Sequence, residues 1–351
     1  GVSVVMGGMH PSALPEEASE HADAVVIGEA ENQWPRVFAD FAAGRPQRFY
    51  RTEQRPELKD LPIPRRDLLR TERYLTVNLV QTARGCPHGC SFCSVTPTFG
   101  RRYRFRPVPE VIEELLSLRA RWVGFTDDNI VACGGRARQL FEALVPLNLQ
   151  WVGQGDLSMA RDEELLRLMA RSGCTAMFIG LESLSQDSLA AANKRANLGV
   201  DYERAVATIH RHGIDIIGSF VFGLDPDPPG VFRQTVEFAE RVKLGAAQFA
   251  VLTPFPGTPL YDQLKKEDRI TNLDWSVYTM GHVVYQPRNM TAAQLRQGRL
   301  YAYRRFYSLR SIGRRTLVRR GGRSRWLVRT IVNLSYRRLH RGGHIANSIP
   351  V

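Results

Sequence analysis

The chain has 351 residues, more than one hydrophobic core usually serves, so two or three structural units are expected. Hydrophobic residues at 43% and charged residues at 24% are globular proportions, and no apolar run reaches the ~18–20 residues needed to span a bilayer. The net charge of +13 belongs to the tail: from Thr291 onward there are fifteen Arg and no Lys, Asp or Glu, which leaves 33 basic against 35 acidic residues before it and argues against nucleic acid as partner of the body.

Val2–Met6 reads as a buried strand ending at Gly7-Gly8, without an initiator Met or a signal-peptide opening, as if the chain began in mid-domain. Pro15-Glu16-Glu17 opens a short helix, since Pro suits a first turn and acids suit the positive helix end. Asp23–Glu29 reads as a second strand running into a Gly turn. Asn32 is placed to cap a helix carrying Trp34, Val37, Phe38 and Phe41 at helical spacing. Residues from about Gly44 to Glu72 are rich in Arg and Pro and read as a linker. Six apolar runs then alternate with amphipathic helices: 75–79, 122–126, 150–153, 176–181, 216–222 and 248–252. The helices between them begin near Pro109, Gly135, Asp162, Tyr202, Val231 and Thr258. Six strand–helix units in series predict an α/β fold with a parallel sheet closed or partly closed into a TIM-like barrel.

Between the first two of these runs lies Thr82-Ala83-Arg84-Gly85-Cys86-Pro87-His88-Gly89-Cys90-Ser91-Phe92-Cys93. Its glycines and proline make a tight loop that can turn three sulfurs towards one point. A structural zinc site closes with four ligands, and no fourth Cys or nearby His completes a tetrahedron; His88, wedged between thiols, is expected to point away. The blander alternative is a group of buried free cysteines. Five Cys, three of them clustered, fit reduced thiols better than a disulfide framework, and Cys133 and Cys174 read as ordinary small apolar residues. In a barrel of this kind the chemistry sits at the C-terminal ends of the strands, which here read Thr126-Asp127-Asp128-Asn129, Gln154-Gly155-Asp156, Gly180-Leu181-Glu182, Gly218–Gly223 and Thr253–Pro259. Singly each could be a cap or turn residue, Asn129 and Asp156 as readily as not.

Cys86-x3-Cys90-x2-Cys93, with Phe92 before the last thiol, resembles the signature of the radical S-adenosylmethionine enzymes. The resemblance implies a [4Fe–4S] cluster on three thiolates, with the fourth iron open to S-adenosylmethionine, whose cleavage yields a 5′-deoxyadenosyl radical. It implies that Phe92 packs beside the adenine, that Asp127 and Asp128 meet the methionine amino group, that Glu182 meets the ribose or methionine part, and that Gly218 to Phe222 supports the adenine. A narrower likeness rests on Gly7-Gly8-Met9-His10-Pro11-Ser12, Gly28-Glu29-Ala30-Glu31, Phe99–Arg104, Pro254–Tyr261, Asp274-Trp275 and His282-Val283-Val284. These are similar to the subgroup with an upstream cobalamin-binding domain. That likeness implies residues 1–45 as the end of a Rossmann-like cobalamin-binding domain, N-terminally truncated, in which Gly7, Gly8, His10, Gly28 and Glu29 face the corrinoid. A linker at 46–73, a barrel at 74–268 and a basic helical extension at 269–351 follow.

The function so implied is cobalamin-dependent C-methyl transfer in secondary-metabolite or lipid biosynthesis, on a small-molecule or lipid substrate, with an external electron donor such as flavodoxin or ferredoxin. Alternatives are radical rearrangement or cyclisation with the same cofactors, and methylthio transfer, which would need a second three-Cys set not present before Cys86. A non-enzymatic alternative is a basic membrane- or RNA-binding module. The expected location is cytoplasmic, with the Arg-rich tail lying on the inner face of the membrane, contacting nucleic acid, or packed on the barrel.

Overall fold

A computed structural model describes residues 1–51, 53–74, 76–316 and 322–341. Near the N-terminus, β1 (Val5–Met6), β2 (Ala24–Ile27) and β3 (Phe49–Arg51) form a parallel sheet in that order. It carries the short helices α1 (Met9–Ala13) and α2 (Pro15–Ala18) and the longer α3 (Trp34–Ala42). The strand β3 lies inside the segment expected to be a linker. Three residues between basic neighbours show no periodicity, and pairing with β2 and complete burial of Tyr50 hold them in place. The expected Asn32 cap is also displaced: Gln33 occupies the N-cap of α3 and makes no side-chain bond there. Of the apolar stripe on α3 only Val37 is buried, while Trp34 and Phe38 face solvent.

The main sheet has six parallel strands, ordered β11-β10-β9-β8-β7-β4. These are β4 (Leu79–Val80), β7 (Trp122–Phe125), β8 (Gln150–Gly155), β9 (Cys174–Glu182), β10 (Asp215–Phe222) and β11 (Ala246–Val251). All six expected strands are present in chain order. The first is shorter and later than expected, because it pairs with β7 only at Leu79 and Val80, and Leu75 falls outside the described residues. A hairpin of β5 (Ala83–Arg84) and β6 (Arg104–Phe105) encloses the Cys loop and helix α4 (Val95–Phe99). Helices α5 (Val108–Leu118), α6 (Gly134–Leu144), α7 (Glu163–Arg171), α8 (Gln186–Ala191), α9 (Tyr202–Arg211), α10 (Val231–Arg241) and α11 (Pro259–Lys266) connect or follow the strands. The start signals act as the sequence suggests: Asp162, Asp201 and Thr258 each accept a backbone N–H at the N-terminus of the helix they precede.

Alternation along the strands gives the sheet two unlike faces. One packs on helices: Trp151 stacks on Phe141 of α6, Phe222 meets Phe232 and Phe220 meets Phe238 of α10. The opposite face carries Gly124, Gln154, Phe178, Gly180, Ser219 and Gln248, all partly exposed, with Gln154 in register with Phe178 and Ser219 with both Gly180 and Gln248. It is the lining of the open barrel.

The C-terminal region closes the free edge. On α12 (Ala292–Phe306), and at Tyr307 just after it, three side chains bond the backbone of β11: Tyr303 Oη accepts from Phe249 N, Tyr307 Oη accepts from Ala247 N, and Arg299 Nε donates to the Phe249 carbonyl. An exposed parallel edge is thereby satisfied. Helices α13 (Leu309–Thr316) and α14 (Arg323–Arg341) follow. From the sequence, Gly321-Gly322 is expected to break the tail into at least two helical pieces; residues 317–321, between these two helices, lie outside the described residues. Part of the tail's basicity is internal: the fully buried Arg315 donates to the carbonyls of Leu244, Gly245 and Phe306 and to Asn333. Among the described residues no helix is long and apolar enough to cross a membrane.

The loop after β10 is pinned by Asp227, whose buried carboxylate accepts from Ser188 Oγ (2.7 Å) and from the backbone N–H of Gly223 and Leu224. Burial pushes its pKa up to about 6, against those hydrogen bonds. A raised carboxyl favours the fold in its protonated form, so this contribution is complete below pH ~4 and is lost as pH rises through about 6. Relative to Asp227→Asn, the wild type should lose up to about 3 kcal/mol of stability between pH 4 and 7, read from paired denaturant titrations.

Candidate functional site

The Cys loop leaves β5 at Gly85, which has φ 94° and whose backbone lies so close to Arg102 that a Cβ would come within 2.3 Å of the Arg102 carbonyl oxygen. Only glycine combines that φ with that approach. From there the loop is tied at every turn. Cys86 N donates to the Gly100 carbonyl and Ser91 N to the Ala192 carbonyl, while Leu260 N donates to the Ser91 carbonyl. Thr96 Oγ1 donates to the carbonyls of Cys86 and His88, and Asn193 Nδ2 donates to that of Gly89 (2.6 Å). Segments after β9 and after β11 therefore hold the loop at the C-terminal edge of the sheet. Cys90 is buried, and Cys86 and Cys93 are half-buried.

At the same edge the other strand ends converge. Glu182, with φ 62°, closes β9 and pairs with Lys194 Nζ at 2.9 Å, both side chains mostly buried. Gly180 makes room for that pair: a Cβ there would meet Glu182 Oε1 at 2.2 Å. Asp156 accepts from Asn129 Nδ2 (2.7 Å) and Ser158 N (2.8 Å) and faces His88 Nε2 at 3.7 Å. His88 thus turns towards Asp156. Tyr103 places its hydroxyl 3.9 Å from Cys86 Sγ.

The electrostatics follow from burial. It pushes the Cys90 thiol up to about 11 despite the opposing charge of Lys194, and raises Cys93 as well. Burial works against the Lys194 ammonium, but Glu182 and Cys90 outweigh it and raise its pKa. Burial lifts Asp128 to about 6. Burial also opposes ionisation of Asp156, yet hydrogen bonds from His88 and Ser158 hold it well below the usual carboxylate range.

Several residues singled out from the sequence sit elsewhere than expected. The Asp127 carboxylate is fully buried and taken up by Thr82, accepting its N–H (3.1 Å) and its hydroxyl (2.9 Å), so it anchors the base of the Cys loop and is not open to a ligand. Asp128, half-buried beside it, lies within electrostatic reach of Cys93. Gly218 and Phe222 lie on the helix-facing side: a Cβ on Gly218 would strike Leu244, and Phe222 packs among Phe232 and Phe249. Ser219 is the residue of that strand on the lining face. Phe92 packs against the main core from the loop. Cys174 is buried as expected, but Cys133 is exposed in a left-handed N-cap.

In the N-terminal unit, Gly7, Gly8 (φ 100°) and Gly28 (φ 90°) form turns, and Gly28 N donates to Ser12 Oγ. His10 and Glu29 are engaged at the junction with the barrel. His10 sits edge-on to Trp275 at 5.2 Å and 3.6 Å from Glu17, and Trp275 Nε1 donates to Glu17. Buried Glu29 accepts from Arg104 (2.6 Å) and Arg84 (2.7 Å), the two residues that flank the Cys-loop segment. It is a clamp between the units and not a free corrinoid contact. Glu29→Gln leaves the largely buried Arg104 short of its counter-charge, while Arg84 keeps Glu31 at 2.6 Å, and should cost about 3 kcal/mol, seen as a lowered thermal midpoint.

Lys194 is the site residue the sequence did not announce: an Asn-Lys-Arg run reads as surface, and only the fold brings it under Cys90. Among the described residues no three His, Cys, Asp or Glu side chains converge tightly enough to hold a single metal ion. A polynuclear cluster spreads its thiolates further apart, and the donor set fits one. The three sulfurs lie within electrostatic reach of each other, and the buried Oδ1 of Asn129, whose Nδ2 bonds Asp156, accepts no hydrogen bond among the described residues.

Fold and site together define a barrel enzyme that carries an iron–sulfur centre at the mouth of its sheet. The chain belongs to the radical SAM superfamily: the Radical SAM superfamily model matches residues 80–239. It is 30% identical over 325 residues, 90% of this chain and 71% of the other, to bacteriochlorophyllide d C-12(1)-methyltransferase of Chlorobaculum tepidum. It is 27% identical to the C-8(2)-methyltransferase of the same organism, over 96% of this chain and 78% of the other. Among solved structures it is similar to the radical S-adenosylmethionine methyltransferase TsrM of Kitasatospora setae, bound to cobalamin and a [4Fe–4S] cluster. The TM-score is 0.65 at 20% identity, covering 76% of this chain and 58% of that one, so the chain spans under two thirds of that structure's length. Membership makes the protein an enzyme with a [4Fe–4S] cluster and S-adenosylmethionine as cofactors; the two Chlorobaculum tepidum relatives are methyltransferases, and a relative 26% identical over 92% of this chain is the anaerobic magnesium-protoporphyrin IX monomethyl ester cyclase of Cereibacter sphaeroides.

Proposed function

We propose that the protein is a cobalamin-dependent C-methyltransferase of secondary-metabolite or lipid biosynthesis, its cluster held by Cys86, Cys90 and Cys93. The observation that carries this reading is the anchored three-thiol loop beside the Glu182–Lys194 pair, in a chain 30% identical to a methyltransferase over 90% of its length. When bound, the cluster and S-adenosylmethionine supply a hydrogen-abstracting radical and cobalamin supplies the methyl group. The chain's own residues bind and orient. Phe92 packs beside the adenine, Asp128 and the unpartnered Asn129 Oδ1 receive the methionine ammonium, and Lys194 receives its carboxylate while Glu182 holds Lys194 in place. Ser219, Gln154 and Gln248 offer hydrogen bonds along the lining face, with Phe178 as an apolar wall. The glycine turns at Gly7, Gly8 and Gly28 face the corrinoid, in an N-terminal unit running from residue 1 to about 51. A flavodoxin or ferredoxin supplies electrons.

Anaerobic reconstitution with iron and sulfide, followed by addition of cobalamin, S-adenosylmethionine and a reductant, tests this reading. The expected result is charge-transfer absorption of the cluster, release of 5′-deoxyadenosine and bound corrinoid. Cleavage of S-adenosylmethionine without any corrinoid binding would remove cobalamin from the account and leave the radical chemistry in place.

A further inference from the structure

The helix α14 is amphipathic in the reverse of the usual sense. Its inner face packs Tyr336 on Tyr307 at 5.0 Å but is otherwise polar: Arg329 donates to the Thr316 carbonyl and lies 3.3 Å from Asp215, Asn333 Nδ2 donates to the Gly245 carbonyl, and His340 stacks on Tyr303 at 3.8 Å. Arg329, Asn333 and His340 are buried. Its outer face carries Leu327, Val328, Ile331, Val332, Leu334 and Leu339, between 37% and 53% exposed. At about 100° per residue, Leu327, Ile331 and Leu334 fall within one narrow arc, with the exposed Arg338 among them, and Val328, Leu339 and Val332 fall together to one side of it. A face of six exposed aliphatics on a helix that is already fixed from behind calls for a cover.

The charge around it says what kind. Arg304, Arg310, Arg314 and Arg338 are exposed on the same three-helix extension, and no acidic residue occurs in the chain from Thr291 to its end. On the outer side of α12, a cavity of about 590 Å³ is lined by Leu300, Tyr301, Arg304, Arg305 and Arg310 among others. Arg305 is bridged to Glu240 at 3.2 Å, and Arg304 and Arg310 remain exposed at the cavity.

We propose that this extension docks on an anionic phospholipid surface: the outer face of α14 enters the headgroup–acyl boundary, and the α12 cavity takes an acidic headgroup between Arg304 and Arg310. An aliphatic face on an Arg-rich extension with no acidic residue of its own is the composition that partitions into such an interface. A protein partner of matching charge would have to supply an apolar groove as well. Docking of this kind is independent of the reaction at the Cys loop, and either can hold without the other.

The experiment is co-sedimentation of the full chain with vesicles of phosphatidylcholine alone and of phosphatidylcholine with phosphatidylglycerol, at low and high salt. Binding is expected only to the anionic vesicles and is weakened by salt. The double variant Ile331→Asn/Leu334→Asn should lower partitioning more than ten-fold, and Arg310→Gln should lower it about five-fold. Both variants keep wild-type circular dichroism and cluster absorption, since the altered side chains are exposed and outside the site. Equal binding to neutral vesicles, no binding, or binding unchanged by the double variant would overturn the proposal. So would a dimer in light scattering that the double variant abolishes, which would make a second copy the cover. Preference for RNA over anionic vesicles would overturn it too.

Discussion

Gly85→Ala should leave a folded protein that cannot assemble its cluster. The added Cβ would lie 2.3 Å from the Arg102 carbonyl oxygen, and the φ of 94° is itself outside what alanine adopts comfortably. Neither strain can be relieved by a side-chain rotation, because the obstructing atom is backbone. The β5–β6 hairpin must therefore open, and with it go the bond from Cys86 N to the Gly100 carbonyl and the approach of Tyr103 to Cys86. The main sheet does not depend on this hairpin, so far-UV circular dichroism should remain near wild type. Iron per chain after anaerobic reconstitution should fall by about ten-fold or more, as expected when a local strain of a few kcal/mol falls on one ligand. Wild-type iron content in the variant would show that the loop is looser than its bonding implies.

Lys194→Met should separate two roles of one side chain. The Glu182 carboxylate would be left buried without its 2.9 Å partner, a loss of about 3–5 kcal/mol and a thermal midpoint lower by roughly 10 °C. S-adenosylmethionine affinity should fall by about ten- to a hundred-fold, the usual worth of a hydrogen bond between charged groups. The double variant Glu182→Gln/Lys194→Met removes the orphaned charge. It should recover most of the stability and none of the affinity. If affinity returned with stability, Lys194 would be a structural partner of Glu182 and would have no part in cofactor binding. Equilibrium dialysis with labelled S-adenosylmethionine on reconstituted protein reads the affinity, and differential scanning calorimetry reads the stability.

The order of the six sheet strands and the placing of the Cys loop were legible because both rest on local patterns. Apolar runs alternate with capped helices, and three thiols stand among glycines. Which face of a strand a residue occupies was legible only where alternation was clean. In β10 the run Gly218-Ser219-Phe220-Val221-Phe222 is apolar on both sides, and a register shift against β9 falls between Ser219 and Phe220. Nothing in the sequence says that Gly218 and Phe222 turn to the helices and Ser219 to the lining.

Asp127 and Asp128 pose the same difficulty in miniature. Adjacent carboxylates at a strand end look equivalent, yet one is taken inward by Thr82, 45 residues away, and the other is left at the site. Long-range partners also explain Glu29 and Lys194. Each is an ordinary charged residue in its own segment, and becomes informative when Arg104 or Cys90 is brought beside it. The strand β3 escaped for a different reason: three residues in an Arg- and Pro-rich stretch are fixed by pairing with β2 and by burial of Tyr50, not by any preference of their own.

On the reading proposed above, Cys86, Cys90 and Cys93 hold three irons of a cluster whose fourth iron is left for S-adenosylmethionine. Mössbauer and electron paramagnetic resonance spectra of the anaerobically reconstituted protein, with and without S-adenosylmethionine, test it most directly. A [4Fe–4S] cluster with one distinct iron site is expected, its signal shifting when S-adenosylmethionine is added. It should be lost on replacing any of the three thiols by alanine and retained in Cys133→Ala and Cys174→Ala. A cluster that forms without those three thiols, or that ignores S-adenosylmethionine, would contradict the account.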